Sequence, residues 1–408
     1  MRKILFKMRQ FPHLSETFVL AQIITAIKAD LDVRILVSEI LDFEASTHLE
    51  VLEKHQIRKK LILEDYQIPR NRIIRVLKAG LIVLKQIAQL RELAVFLKHK
   101  KKFSLTWIYQ FHFYSQFKNV EIIHIQYGTN IHPVDILKSI GFFQGRLIVS
   151  FHGHDAFFPI NGFIQNNGYY NYLFGGDNLI IANTSYLAER IKELGCPEKN
   201  LKVIPVGVDT DFFKVENREK PGGSVKFVNV GRLDKVKGQM YAIEFIKMMK
   251  ERDLDVELTI IGDGAERENL VSLINKHQLA DSVFLVGKKS QEEVRNYLAE
   301  SDIYILTAVP LKDGRRETQG LATLEAAAAG LPVLAFDSGG VRYTIVNNET
   351  GYLCKEYDMK CLWEKATFLL DKKSRIEMGE KARNFVEQHF AQEKIDREWK
   401  KIYSSERE

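Results

Sequence analysis

The chain has 408 residues, with 59 Lys and Arg against 53 Asp and Glu for a formal net charge of +6, 45% apolar residues and 27% charged. At about 150 residues per domain this length predicts two or three domains with cores of their own, and the composition excludes a disordered or fibrous chain. Three cysteines, Cys196, Cys354 and Cys361, are too few and too scattered for a disulfide framework or a zinc site, so a reducing cytosol is expected.

In chain order, strands alternate with helices throughout, the pattern of parallel sheets covered by helices. RKILFKM opens as a strand, and Lys7 and Arg9 interrupt its apolar run too early for a secretory signal. SETFVLAQIITAIKA follows as a helix capped by Ser15 or Thr17, then DLDVRILVSE as a strand. EIIHIQYG, GRLIVSFHG and DNLIIANT are further strands, and SYLAERIKELG is a helix ended by Gly195. The uncharged stretch Ala156–Gly176 has spanning length, but its Asn, Gln, Gly and Pro residues make it a loop-rich segment, so no transmembrane helix is expected. After KVENREKPGGS, which has linker composition, a second series runs from SVKFVNVGR to PVLAFD, and the last forty residues read as helical. Asp-Leu-Asp-Val occurs at 30–33 and again at 253–256, each time between the first helix and second strand of a series. Two Rossmann-like units in tandem are therefore expected, with ligand at the carboxyl ends of the strands in a cleft between them.

The charge is concentrated. Residues 58–102 hold 13 Lys or Arg and 3 Asp or Glu, so this segment carries +10 and the remainder −4. NRIIRVLKAGLIVLKQIAQLREL within it reads as a helix with Arg75, Lys78 and Lys85 on one side and Ile74, Leu77, Leu81, Leu84 and Ala88 on the other. It is either a surface helix with a solvated face or a basic amphipathic surface for anionic lipid. Nucleic acid is disfavoured, because no aromatics for base stacking are interleaved with the charges.

Three loops at strand ends concentrate chemistry-bearing residues. In VGRLDKVKGQ, Gly231 ends a strand and Arg232 and Lys237 precede a helix, a combination suited to a diphosphate. In ETQGLATLEAAAAGLPV, Glu317 lies before a helix and Glu325 within it, and Gln319, Gly320 and Leu321 offer backbone N–H groups at the helix start. The Ala- and Leu-rich surroundings of Glu325 require a partner for its charge. In SFHGHDAFF, His152, His154 and Asp155 follow a strand; with no third ligand at sensible spacing they are not read as a metal site, and His124 and His132 are read as core and loop residues. Asp209 and Asp211, an Asp-x-Asp pair, are read as structural.

Taken in order, GVDTDFF, GRLDKVKG, IIGDG, ETQGLATLE and EAAAAGLPV with SGG resemble glycosyltransferase family 4, whose members adopt the GT-B fold. FPHLSETFV and FHGHD further resemble its exopolysaccharide branch, including colanic-acid and amylovoran-type enzymes. The resemblance implies an α/β GT-B chain of two facing Rossmann-like domains: an acceptor domain at 1–207, a donor domain at 208–385 and a helical segment at 386–408 returning to the first. It implies a retaining, hexosyltransferase-type enzyme that uses a nucleotide-diphosphate sugar, needs no metal or other cofactor, and acts in the cytoplasm or at the inner face of the membrane. By the same resemblance Gly231, Arg232, Lys237, Gln319, Gly320, Leu321 and Glu325 bind the donor, with Arg232 and Lys237 on the diphosphate and Glu325 on the ribose. His152 and Glu317 serve the reaction centre, and Ser15, Glu16, His154 and Asp155 face the acceptor.

The chain departs from the family at three places: Arg342-Tyr343 stands where Pro-Glu is usual, His124-Ile125-Gln126 replaces His-x-His, and Pro12-His13-Leu14-Ser15 replaces a glycine pair. The expected reaction is transfer to a lipid-linked oligosaccharide in surface-polysaccharide synthesis. The alternatives are transfer to a protein or small molecule, or a non-catalytic nucleotide-sugar-binding subunit. The Glu317/Glu325 motif speaks against an epimerase, and no pyridoxal-phosphate lysine signature supports a phosphorylase.

Overall fold

The computed structural model describes residues 1–12, 17–44, 46, 49–100, 102–157, 168–215 and 223–405. They form two compact units: Met1–Ala182 with Ile191–Lys202 and the chain from Glu398 onward, and Asn183–Arg190 with Val203–Arg397. Residues 386–397 thus lie with the second unit.

The first unit carries a seven-stranded sheet of β1 (Lys3–Phe11), β2 (Asp32–Ile40), β3 (Leu61–Leu63), β4 (Ile122–Gln126), β5 (Arg146–Ser150), β6 (Leu179–Ala182) and β7 (Leu201–Val203), in the order 3-2-1-4-5-6-7. The second carries β8 (Val225–Val230), β9 (Val256–Ile261), β10 (Val283–Gly287), β11 (Ile303–Leu306), β12 (Val333–Phe336) and β13 (Gly351–Cys354), in the order 10-9-8-11-12-13. The pairings about β1, β4 and β5 and all those of the second sheet are parallel. Helices cover both faces of a parallel sheet, which is why β4, β11 and β12 are buried from end to end. This is the α/β class expected. In each sheet the order reverses once, between β1 and β4 and between β8 and β11, and a Rossmann-like fold binds its ligand beyond the strand ends at such a point.

The repeated tetrapeptide has a structural meaning. Asp30 and Asp253 both take the left-handed conformation, at φ 57° and 56°. Leu31 N–H bonds Ala26 O and Leu254 N–H bonds Met249 O, each at 3.3 Å, while Asp30 N–H and Asp253 N–H bond Ile27 O and Lys250 O. The same C-terminal cap therefore closes the first helix of each unit and launches β2 and β9.

One expectation is corrected. Cys354, at the end of β13, and Cys361, in the first turn of the helix Met359–Leu369, form a disulfide across seven positions; the short turn between strand and helix brings them together. The apolar side of the helix Arg72–Lys85 faces outward: Leu77 is 64% exposed and Leu84 66%, while Ala79 and Ile82 alone are buried. Arg75 and Lys78 bend back to bond Pro69 O and Gln67 O. No helix among the described residues is long and apolar enough to cross a membrane.

Candidate active site

In the second unit, the loops after β8 and β11 are stitched together where the strand order reverses. Thr307 Oγ1 donates to Gly238 O at 2.7 Å, and Val309 N–H to Val236 O at 3.0 Å. A side chain at Gly238 is excluded twice over: its φ is +64°, and a Cβ would stand 1.9 Å from Thr307 O. Asp234 caps the short turn Lys235–Lys237 by accepting from Val236 N–H. Lys237 then lies across the bare Gly231, its Cε 3.4 Å from where a Cβ would be, and its Nζ meets Glu317 Oε2 at 2.5 Å.

Glu317 is fixed from its own side. Gly340 N–H donates to Glu317 O at 2.7 Å and Gly320 N–H to Glu317 Oε1 at 3.2 Å. A Cβ at Gly340 would fall 1.8 Å from Thr318 O, so the SGG segment is glycine because two backbones touch there. Burial pushes the Glu317 carboxyl upward, but the Lys237 charge and hydrogen bond and the Gly320 and Thr318 amides outweigh it and hold the group below the usual carboxylate range. Glu325, half-buried one turn into the helix Leu321–Ala328, goes the other way: burial raises it to about 7, with the charge of Lys237 opposing. Arg232 is exposed, its carbonyl held by Gln239 Nε2, and its guanidinium makes no ion pair among the described residues.

Gln319, expected to offer a backbone N–H at the helix start, uses its side chain elsewhere. Its side chain clasps the backbone of Val206 at both ends, Oε1 accepting from Val206 N–H and Nε2 donating to Val206 O, each at 2.9 Å. The amide is spent on structure, leaving only main chain for a ligand. Arg342, in place of the usual Pro, is tied to Asp337 at 2.6 Å, and with Tyr186, Arg316, Tyr343 and Glu356 it lines a cavity of about 600 Å³.

In the first unit, His152 stands just past the end of β5. Gln126 Oε1 accepts from His152 Nε2 at 2.9 Å, and Gln126 Nε2 donates to Gln22 Oε1 at 2.7 Å. Thus the glutamine that stands at the second histidine position of the family's His-x-His orients His152. Burial pushes both His152 and His124 down to about 3, so both rings are neutral. His124 is wholly buried, bonded to Ser150 Oγ and Tyr403 O–H. Asp155 also points inward, fully buried, accepting from Gly128 N–H, His152 N–H and Gly153 N–H at 2.9, 3.1 and 2.8 Å. It shapes the loop instead of facing an acceptor. His154 is exposed beside the Tyr127 ring at 4.9 Å, and Tyr127, at φ +66°, also contacts His152. Ser15 and Glu16 lie outside the described residues. Asp209 caps its own turn through Phe212 N–H, as expected of a structural residue.

Sequence reasoning missed Gln22 and Lys7. Gln22 interrupts the apolar side of the helix Thr17–Lys28. Lys7 sits buried in an apolar strand, with Nζ donating to Asn130 O and His132 O at 2.6 Å, and burial lowers its pKa. A polar residue on an apolar stripe was the available signal for both.

Residues 80–212 match the Glycosyltransferase Family 4 model and residues 211–385 the Glycosyl transferases group 1 model. The chain is 28% identical over 397 residues to the amylovoran biosynthesis glycosyltransferase AmsK of Erwinia amylovora, covering 93% of this chain and 91% of that one. It is 30% identical over 267 residues to an Escherichia coli K12 protein assigned as the colanic acid biosynthesis glycosyltransferase WcaL, covering 64% and 65%. The Anabaena protein HepE, solved in complex with UDP and with UDP-glucose, shares the fold over the whole of both chains, with TM-scores of 0.70 and 0.69 at 18% and 19% identity.

Proposed function

The chain belongs to the family 4 glycosyltransferases, its family 4 domain followed by a group 1 domain, and from that premise we propose retaining transfer of a sugar from a nucleotide-diphosphate donor to a lipid-linked oligosaccharide in surface-polysaccharide synthesis. The names of the amylovoran and colanic acid relatives support the polysaccharide, and the UDP complexes of HepE support a uridine diphosphate leaving group.

The observation that carries the reading is the Lys237–Glu317 pair at the carboxyl ends of β8 and β11. Lys237 and Arg232, with the amides at the start of the helix Leu321–Ala328, are suited to the charge that develops on a departing diphosphate. A diphosphate drawing Lys237 to itself releases Glu317 for the hydroxyls of the sugar. Glu325 is assigned the ribose hydroxyls, a charge-assisted contact that supplies the partner its burial demands. In transfer, the acceptor oxygen bonds to the anomeric carbon as the bond to the diphosphate oxygen breaks. The electron pair leaves with the diphosphate, and that oxygen takes the acceptor proton. His152, neutral at physiological pH, is a hydrogen-bonding residue for sugar or acceptor and not the base. The two cations take the charge-neutralising role, so transfer is expected to survive chelation.

The test is a panel of nucleotide sugars assayed for release of nucleoside diphosphate with and without lipid-linked acceptors. Donor hydrolysis by one member, accelerated by acceptor and lost in Lys237→Ala and Glu317→Gln, is expected. Unchanged acceptor-dependent turnover in those variants refutes the assignment.

A further inference from the structure

We propose that the outward face of the helix Arg72–Lys85, continued through Ile87 and Leu90, seats on an anionic lipid bilayer. The orientation of this helix is set from behind. Asn71 caps it by accepting from Ile73 N–H and Ile74 N–H. Ala79 and Ile82 pack with Ile108 and Tyr109 in a small core of their own, and Tyr109 O–H donates to Arg75 O at 2.7 Å. What remains outside is apolar: Ile73, Ile74, Val76, Leu77, Leu81 and Leu84 are each more than half exposed, and Ile87 is 66% exposed beyond them. At ~100° per residue these side chains cover nearly half the helix circumference. Single exposed apolar residues are ordinary, but a contiguous patch of this kind marks an interaction surface.

Charge identifies the occupant. Between Arg70 and Lys102 the chain carries ten Lys or Arg and one acid, Glu92, and that acid lies 3.8 Å from Lys118. Arg72, Lys85, Arg91 and Lys98 are exposed around the patch. A second copy of this chain would bring the same cations against these, at a repulsive cost. A surface that is apolar inside and negative at its rim complements both features, and the headgroup region of an anionic bilayer is such a surface. The helix, roughly 21 Å long at ~1.5 Å per residue, lies in that plane and is too short to span. Phe103, 73% exposed, adds a further apolar contact.

The docking does not depend on the transfer reaction, and its test reads membrane partition alone. The intact chain is floated with vesicles of phosphatidylglycerol and phosphatidylcholine and with phosphatidylcholine alone. Binding to the anionic vesicles is expected, weakened by salt without being abolished. Replacing Leu77, Leu81 and Leu84 by Ser lowers it roughly tenfold or more for each leucine that inserts, and Arg72→Gln, Lys85→Gln and Arg91→Gln lower it roughly fivefold for each cation. All six positions are exposed, so circular dichroism of the variants should match the parent, and a blue shift of Leu77→Trp emission on vesicles reports insertion directly. Absence of binding at low salt, or equal binding by the triple serine variant, overturns the proposal. So does a lipid-free dimer in sedimentation velocity that the serine variant dissolves, because the occupant is then a second copy.

Discussion

Glu325 is an ionisable group at odds with its surroundings, and replacing it by Gln separates what it costs the fold from what it does for the ligand. The helix Leu321–Ala328 buries Thr323, Leu324, Ala326, Ala327 and Ala328 around it, and burial raises its carboxyl to about 7, with Lys237 only partly opposing. The folded chain therefore holds a proton that the unfolded chain, near 4.5, has released. Stability is unaffected below about pH 4.5, falls as pH rises through the interval, and the penalty is complete above about 7. At ~1.4 kcal/mol per pH unit that penalty amounts to about 3 kcal/mol at pH 8 and under about 1 kcal/mol at pH 5, upper figures because the side chain is only half-buried. Glu325→Gln keeps the shape and removes the charge. Urea unfolding should show the variant more stable than the parent by up to about 3 kcal/mol at pH 8, with the gain shrinking toward pH 5. Titration calorimetry should show weaker UDP binding by about 1.5–3 kcal/mol, because hydroxyls lose a charged acceptor. A stability difference that is the same at both pH values, or a variant less stable at pH 8, refutes the reasoning.

Lys237→Ala should lower kcat by about 10²–10³-fold in the donor assay, and the acid limb of its pH profile should move upward, because burial of Glu317 is then opposed by amides alone. Asp155→Ala strands the buried N–H groups of Gly128 and Gly153 and the part-buried one of His152, and chemical denaturation should register a loss of about 3 kcal/mol or more. Gln319→Leu removes both bonds to Val206; a loss of about 2 kcal/mol in stability, with UDP affinity retained, would identify it as structural. Gly340→Ala, blocked by Thr318 O, should displace Glu317 and reduce kcat together with thermal stability, while the same change at Gly195, where nothing stands within 4 Å of a Cβ, strains only its φ of +99° and should spare kcat.

Much of this was legible in the sequence because it rests on local physics. Alternating strand and helix patterns located both sheets, and Asp-Leu-Asp-Val marked equivalent helix ends because an Asp tolerates the left-handed position that ends a helix. The charged loops stood out because Lys237 and Glu317 follow strand ends beside glycines and Glu325 carries formal charge in apolar company. What stayed hidden was direction. Asp155 was singled out as a polar residue in the right loop, yet its side chain turns inward to bond main chain, and spacing alone does not distinguish a group aimed at a ligand from one that shapes the loop. The same ambiguity affected the basic helix. Periodicity established two unlike sides without choosing between a solvated surface helix and a lipid-facing one; in the structure the apolar side is exposed, and Ala79 and Ile82 anchor the helix.

The two units reach their sites by different means from one topology. In the second, the point where the sheet order reverses is furnished with charge: a lysine paired with a glutamate, and a second carboxyl raised to about 7. In the first, the corresponding strand ends carry uncharged groups, with His152 and His124 driven neutral by burial and linked through Gln126, Gln22 and Ser150. A neutral network offers donors and acceptors without a field to attract phosphate, and so suits hydroxyl groups. It follows that changing Gln126 to Leu should disturb the selection of sugar or acceptor while leaving nucleotide binding intact, whereas changing Lys237 should do the reverse. A loss of UDP affinity in Gln126→Leu equal to that in Lys237→Ala would show that this division between the units is false.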